Sequence, residues 1–108
     1  MPNITIFLPM EAMPSEQQLA GLTDRCLALC TDVLLASLKN VHIIYVGVRH
    51  GHGHPAFAEV KYRIEPFRTP PVMEQFMVAL DEAIKHFTGL TARIRCFGYV
   101  ASSIHARN

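Results

Sequence analysis

The sequence predicts an α+β fold in which strand, helix and strand occur twice along 108 residues. Three observations carry this prediction. Apolar residues alternate at period two in three stretches and run almost without interruption in a fourth, as in strands. Two further stretches repeat apolar residues at helical spacing, each opened by a hydroxyl residue suited to capping a helix. The two halves, about 1–50 and 56–108, are nearly equal, and no low-complexity linker separates them. They are expected to form a single domain, 1–108, with an ancestral duplication behind it. The two βαβ units (β-α-β-β-α-β) would share one four-stranded sheet with both helices on one face.

The first strand is Asn3 to Leu8, where Ile4, Ile6 and Leu8 alternate with Asn3, Thr5 and Phe7. Pro9 to Pro14 connects it to a helix expected from Ser15 to Leu38. Ser15 and Gln18 have the spacing of a capping box. Leu19, Leu22, Cys26, Leu29, Cys30 and Val33 form the apolar stripe. Lys39-Asn40 ends the helix, Asn being a common terminator. Val41 to Val48 is β-branched and nearly continuous, so it reads as a strand covered on both faces.

Arg49 to Pro55 is a loop by its Gly and Pro content. Over Phe57 to Ile64, Ala58, Val60, Tyr62 and Ile64 face one way, and Phe57, Glu59, Lys61 and Arg63 the other. Thr69 is the second N-cap, with Pro70 at the first helical position, where a missing N–H costs nothing. Met73, Phe76, Met77, Leu80, Ile84 and Phe87 follow at helical spacing, and Gly89 is placed to end the helix. Ala92 to Val100 is the last strand, with Arg93, Arg95, Phe97 and Tyr99 on one face. Two topologies satisfy this order. One is the ferredoxin-like split βαβ; the other sets two parallel βαβ units side by side, antiparallel to each other.

Composition narrows the function. Half of the residues are apolar and 18% charged, a balance that points to a buried subunit interface. The net charge of +1 provides no global field for nucleic acid or anionic lipid. Apolar runs are too short to span a bilayer, and no secretory signal is visible. Cys26, Cys30 and Cys96 are an odd set among apolar neighbours. They read as reduced core thiols of a cytoplasmic protein.

The chemistry lies at the start of the chain. Pro2 follows Met1 directly, and its small side chain permits removal of that methionine. Removal leaves a secondary amine at the head of a core strand. An α-amino group titrates near ~8, and an apolar pocket lowers it further. Such an amine is suited to general base catalysis near neutrality. With Met1 in place the nitrogen is a tertiary amide without a basic lone pair. The plain alternative is that Pro2 merely begins a strand, where it need not donate to the ladder.

Several stretches together resemble the tautomerase superfamily. They are Met1-Pro2 opening a strand, Ser15-Glu16-Gln17 opening the first helix, and Leu38 to Ile44 entering the second strand. In the second half, Ala58 to Ile64 followed by Arg68-Thr69 and an amphipathic helix is similar to the isomerase branch. The resemblance implies a homotrimer with sheets inside and helices outside. It implies an amino-terminal proline as acid or base, no cofactor, and arginines that bind a small carboxylate substrate near subunit interfaces. Arg68 stands where the family carries an arginine, and Arg63 near a second. Short members place arginines where His42 and Met13 fall here, so the first half lacks both. One site per chain follows, pairing Pro2 with arginines of the second half of the same or a neighbouring chain. No carboxylate follows Glu82, which counts against hydrolytic chemistry.

The implied function is a tautomerase or isomerase, moving a proton within a keto–enol acid. Pro2 is the general base. Arg63 and Arg68 hold the carboxylate, bidentate where geometry permits. Tyr99 or His42 bonds the carbonyl oxygen. Each also has a structural reading: Arg63 as a solvated strand residue, Tyr99 as an amphipathic packing residue, His42 as a hydrogen-bonded core histidine. The rival is a non-catalytic trimer, or a metal or ligand module using His50, His52 and His54. Those imidazoles alternate with glycines in the central loop and suit Cu(II), Ni(II) or Zn(II). No neighbouring cysteine or carboxylate completes a conventional ligand set.

Overall fold

A computed structural model describes residues 1–108. The strands are β1 (Asn3–Pro9), β2 (His42–Val48), β3 (Ala56–Arg63) and β4 (Ala92–Tyr99). The helices are α1 (Glu16–Asp32) and α2 (Pro70–Thr88). Single 3-10 turns occupy Met10–Ala12, Leu38–Asn40 and Ala101–Ser103. The strand order is β2-β1-β3-β4. β1 and β2 are parallel, β3 and β4 are parallel, and β1 and β3 run antiparallel between them. Of the two topologies the sequence allows, this is the side-by-side pair.

The alternation read in β1 is realised in full. Ile4, Ile6 and Leu8 have no exposed surface, and neither do Ala58 and Val60 on β3. These residues meet Leu22, Cys26 and Cys30 of α1 and Phe76, Leu80 and Ile84 of α2 in one continuous core. Both helices therefore cover the same sheet face. No helix is long and apolar enough to cross a membrane.

The N-caps form as the sequence predicts. Ser15 Oγ accepts from Gln18 N at 3.1 Å, and Gln18 Oε1 accepts from Ser15 N at 2.8 Å. Thr69 Oγ1 accepts from Val72 N at 3.4 Å, with Pro70 behind it. Gly89 closes α2 in the left-handed region, with φ 73°.

Two expectations are corrected. α1 ends at Asp32, not Leu38. Leu35 turns the chain with φ 54°, and Ala36 N donates back to Cys30 O at 3.0 Å. A left-handed residue that ends a helix is normally glycine or asparagine. Here a leucine takes that place, because the turn delivers Leu34 into the core with no exposed surface. The second correction concerns β2, which is an edge strand open on one face. Ile43 and Tyr45 pack inward, while His42 and Ile44 are exposed. The outer sheet face also presents Phe97 and Tyr99, and a stacked Phe7–Phe57 pair with ring centroids 5.8 Å apart. The strands β3 and β4 each end one residue before their expected limits.

Candidate functional site

A cavity of about 840 Å³ opens at the end of the sheet where β1 and β2 begin and β3 finishes. Parallel pairing of β1 with β2 brings Met1 and Asn3 beside His42. The antiparallel joint to β3 places Arg63 at the same end. Arg68 enters from the loop that follows.

Pro2 is fixed at this end by the ladder. Its side chain is fully buried, and its carbonyl accepts from His42 N at 3.1 Å. In this structure the terminal amine belongs to Met1, which lines the cavity. That amine is held below its ordinary value of 8.0, first by burial and then by the nearby Arg63 and Arg68 guanidiniums, with Cys30 acting against them. Both effects disfavour an additional positive charge, so the environment favours a neutral amine.

Arg68 is itself built into the fold. Its Nε donates to Leu34 O at 2.9 Å and its Nη1 to Arg63 O at 2.7 Å. The guanidinium also lies 5.3 Å from the centre of the Phe67 ring. It thus ties the turn after α1 to the end of β3, while Nη2 makes no bond within the chain. Burial lowers the pKa of its guanidinium, with Glu65 opposing. Cys30 lies close enough for Arg68 and the chain terminus to draw its pKa down, yet burial dominates and pushes the thiol up to about 12. Cys26 is likewise pushed up to about 12 by burial, with Cys30 adding to the effect. Both are neutral core thiols, and all three cysteines are free.

Of the predicted site residues, His42, Arg63 and Arg68 line this cavity beside the chain terminus. Pro2 lies directly behind Met1. Tyr99 is register-paired with Arg63 on the outer sheet face but is not among the cavity residues. Sequence reading missed Lys39 and the tail. Ile104, His105 and Arg107 all reach the cavity. Lys39 was read only as a helix end, and the tail has no periodicity from which a position could be inferred. Lys39, Arg63, Arg68 and Arg107 line the cavity together, and Glu65 is its one acidic side chain. This excess of basic side chains suits an anion beside an amine whose pKa is lowered. Leu35, Val41, Phe67 and Ile104 give the cavity an apolar wall.

His50, His52 and His54 lie at the opposite end of the sheet and line a second cavity of about 660 Å³. They do not converge on a point: no group of three or more histidine, cysteine, aspartate or glutamate side chains is placed to hold a metal ion.

No family model and no curated protein matches the sequence. Solved structures do. A macrophage migration inhibitory factor-like protein from Entamoeba histolytica is 12% identical, with a TM-score of 0.78 over 98% of this chain and 95% of that one. A fused 4-OT, described as a wild-type symmetric trimer, is 15% identical, with a TM-score of 0.80 over 99% and 93% of the two chains. N1, a member of the cis-3-chloroacrylic acid dehalogenase family, is 11% identical, with a TM-score of 0.82 over 97% and 80%. The chain therefore has the tautomerase-superfamily fold. The resemblance read from Met1-Pro2 and the stretches around it is matched in three dimensions along nearly the whole chain.

Proposed function

We propose that this chain is a tautomerase that moves a proton within a small keto–enol carboxylic acid, using Pro2 as general base once Met1 is removed. The observation that supports it most is the terminal amine at a cavity lined by basic side chains, where burial and two guanidiniums lower its pKa. Removal of Met1 puts a secondary amine at Pro2, one residue deeper in the same surroundings.

In the proposed reaction the neutral amine takes a proton from the enol hydroxyl or from the carbon α to the carbonyl. Arg63 and the free Nη2 edge of Arg68 hold the carboxylate and stabilise the dienolate charge. The protonated amine then returns its proton at a different carbon, so the base is regenerated and no cofactor is consumed. His42 lines the cavity and Tyr99 does not, so we assign the carbonyl oxygen to His42. Arg107 of the tail adds a third guanidinium.

We further propose a single-domain cytoplasmic protein that assembles as a homotrimer with sheet faces inward. The trimeric fused 4-OT supports this arrangement, and so does the exposed apolar face carrying Ile44, Phe97 and Tyr99. Three free cysteines suit a reducing compartment.

The test combines intact mass with kinetics. Cytosolically expressed protein should have lost Met1. It should interconvert phenylenolpyruvate or 2-hydroxymuconate with their keto forms. Pro2→Ala should be slower by about 10²–10⁴-fold. Retained Met1, or equal rates in the two proteins, would refute the proposal.

A further inference from the structure

The His50–His54 loop belongs to a second cavity whose chemistry the proposed reaction leaves unused. Its position reflects the internal repeat. Ala56 opens β3 as Asn3 opens β1, and Thr69 caps α2 as Ser15 caps α1. The second cavity lies where β3 and β4 begin, as the first lies where β1 and β2 begin.

Three properties define it. Its floor is aromatic: Phe7 and Phe57 stack at 5.8 Å with planes 17° apart. Its walls are basic: Arg49, Arg93 and Arg95 join the three histidines, and no carboxylate is present. Its charge is uncompensated. Glu59, the register neighbour of Arg95, is ion-paired with Lys61 at 3.5 Å. Arg93 has no side-chain partner in the chain, and Arg95 donates only to its neighbour's carbonyl, Ile94 O, at 2.8 Å. The loop around Gly51 and Gly53 is open, since a Cβ at either would meet nothing within 4 Å, and Gly53 takes the left-handed region with φ 95°.

We infer that this cavity binds an aromatic carboxylate, its ring on the Phe7–Phe57 pair at the end of the sheet and its anionic group between Arg93 and Arg95. A planar ring gains most from an aromatic floor, and a carboxylate matches the guanidinium fork. The site binds without reacting. Pro55 precedes Ala56 as Pro2 precedes Asn3, and its nitrogen is an amide acylated by His54. No free amine stands there. The inference concerns a site separate from Pro2 and does not depend on the tautomerase reading.

The chain has no tryptophan, so a fluorescent aromatic anion can be followed without background from indole. The full-length protein is titrated with 2-naphthoate and with neutral 2-naphthamide, and stoichiometry is counted per chain. The wild type should bind naphthoate at this cavity, and naphthamide at least tenfold more weakly. Arg93→Gln/Arg95→Gln should lose that binding by tenfold or more while keeping its oligomeric state. Arg68→Ala should leave it unchanged. Equal affinity for acid and amide overturns the inference without any variant. Undiminished binding in the double variant also overturns it. Loss of one and the same site in both the double variant and Arg68→Ala would mean a single shared site, and overturns it too. Pro2-dependent turnover is read separately, so failure of either idea leaves the other measurable.

Discussion

Replacing Arg68 tests whether one side chain serves both the fold and the site. In Arg68→Ala two hydrogen bonds disappear, at 2.9 Å to Leu34 O and 2.7 Å to Arg63 O. Bonds from a charged donor contribute about 1.5–3 kcal/mol each when sheltered, and less when water can replace them. Arg63 is exposed, so water takes over at its carbonyl. Leu34 is fully buried, and the bond to its carbonyl is partly buried. That carbonyl bears most of the loss. The expected destabilisation is about 2 kcal/mol, which for a chain of this size lowers Tm by roughly 8–12 °C. Thermal unfolding at fixed protein concentration provides the measurement, since assembly makes Tm concentration-dependent. Arg68→Lys restores a charge but not the fork, so it should recover less than half of the stability. On the proposed mechanism both variants also raise KM for a carboxylate substrate. An Arg68→Ala protein within 0.5 kcal/mol of wild type would refute the clamp, whatever happened to activity.

The remaining predictions concern titration and backbone. The Met1 amine is held below its ordinary value by burial and by Arg63 and Arg68; on the proposed mechanism the Pro2 amine left by Met1 removal meets the same guanidiniums, so kcat/KM should rise with pH through a midpoint below that of a free prolyl amine. Arg63→Ala removes one cause of the depression and should move the midpoint upward; a fixed midpoint would refute the assignment. Burial pushes Cys26 and Cys30 up to about 12 and Cys96 up to about 11. Iodoacetamide at pH ~8 should therefore modify native protein far more slowly than urea-unfolded protein, as mass spectrometry would show. Leu35 is 61% exposed at φ 54°, so Leu35→Asn should stabilise by about 0.5–1 kcal/mol. A lower Tm would show that the leucine side chain makes a contact worth more than the backbone cost.

Much of the fold was legible because period and caps agreed. The inward set Ile4, Ile6 and Leu8, the boxes at Ser15 and Thr69, and Gly89 after α2 each follow from local chemistry. The end of α1 was not legible. Leucine has no tendency toward the left-handed turn at position 35, and only burial of Leu34 makes that turn worthwhile. The apolar run of β2 correctly signalled two apolar faces, but a sequence does not say whether the second is covered by its own chain. At the site, Arg63 and Arg68 could be placed because a strand end and an N-cap fix them. Arg107 could not, since nothing periodic ties the tail to the rest. Tyr99 shows the opposite failure. Its strand was right and its face was right, yet it lies outside the cavity.

The two outermost strands have one more consequence. β2 runs with β1 and β4 with β3, so the free edges point in opposite directions. An edge joined to its own twin yields a closed pair and stops. An edge joined to the other kind leaves a fresh edge at each addition, and growth ends only when the bend per subunit brings the last copy back to the first. Twist in β2 and β4 therefore decides between a ring and a filament, and a substitution that flattens either strand should show itself as fibres.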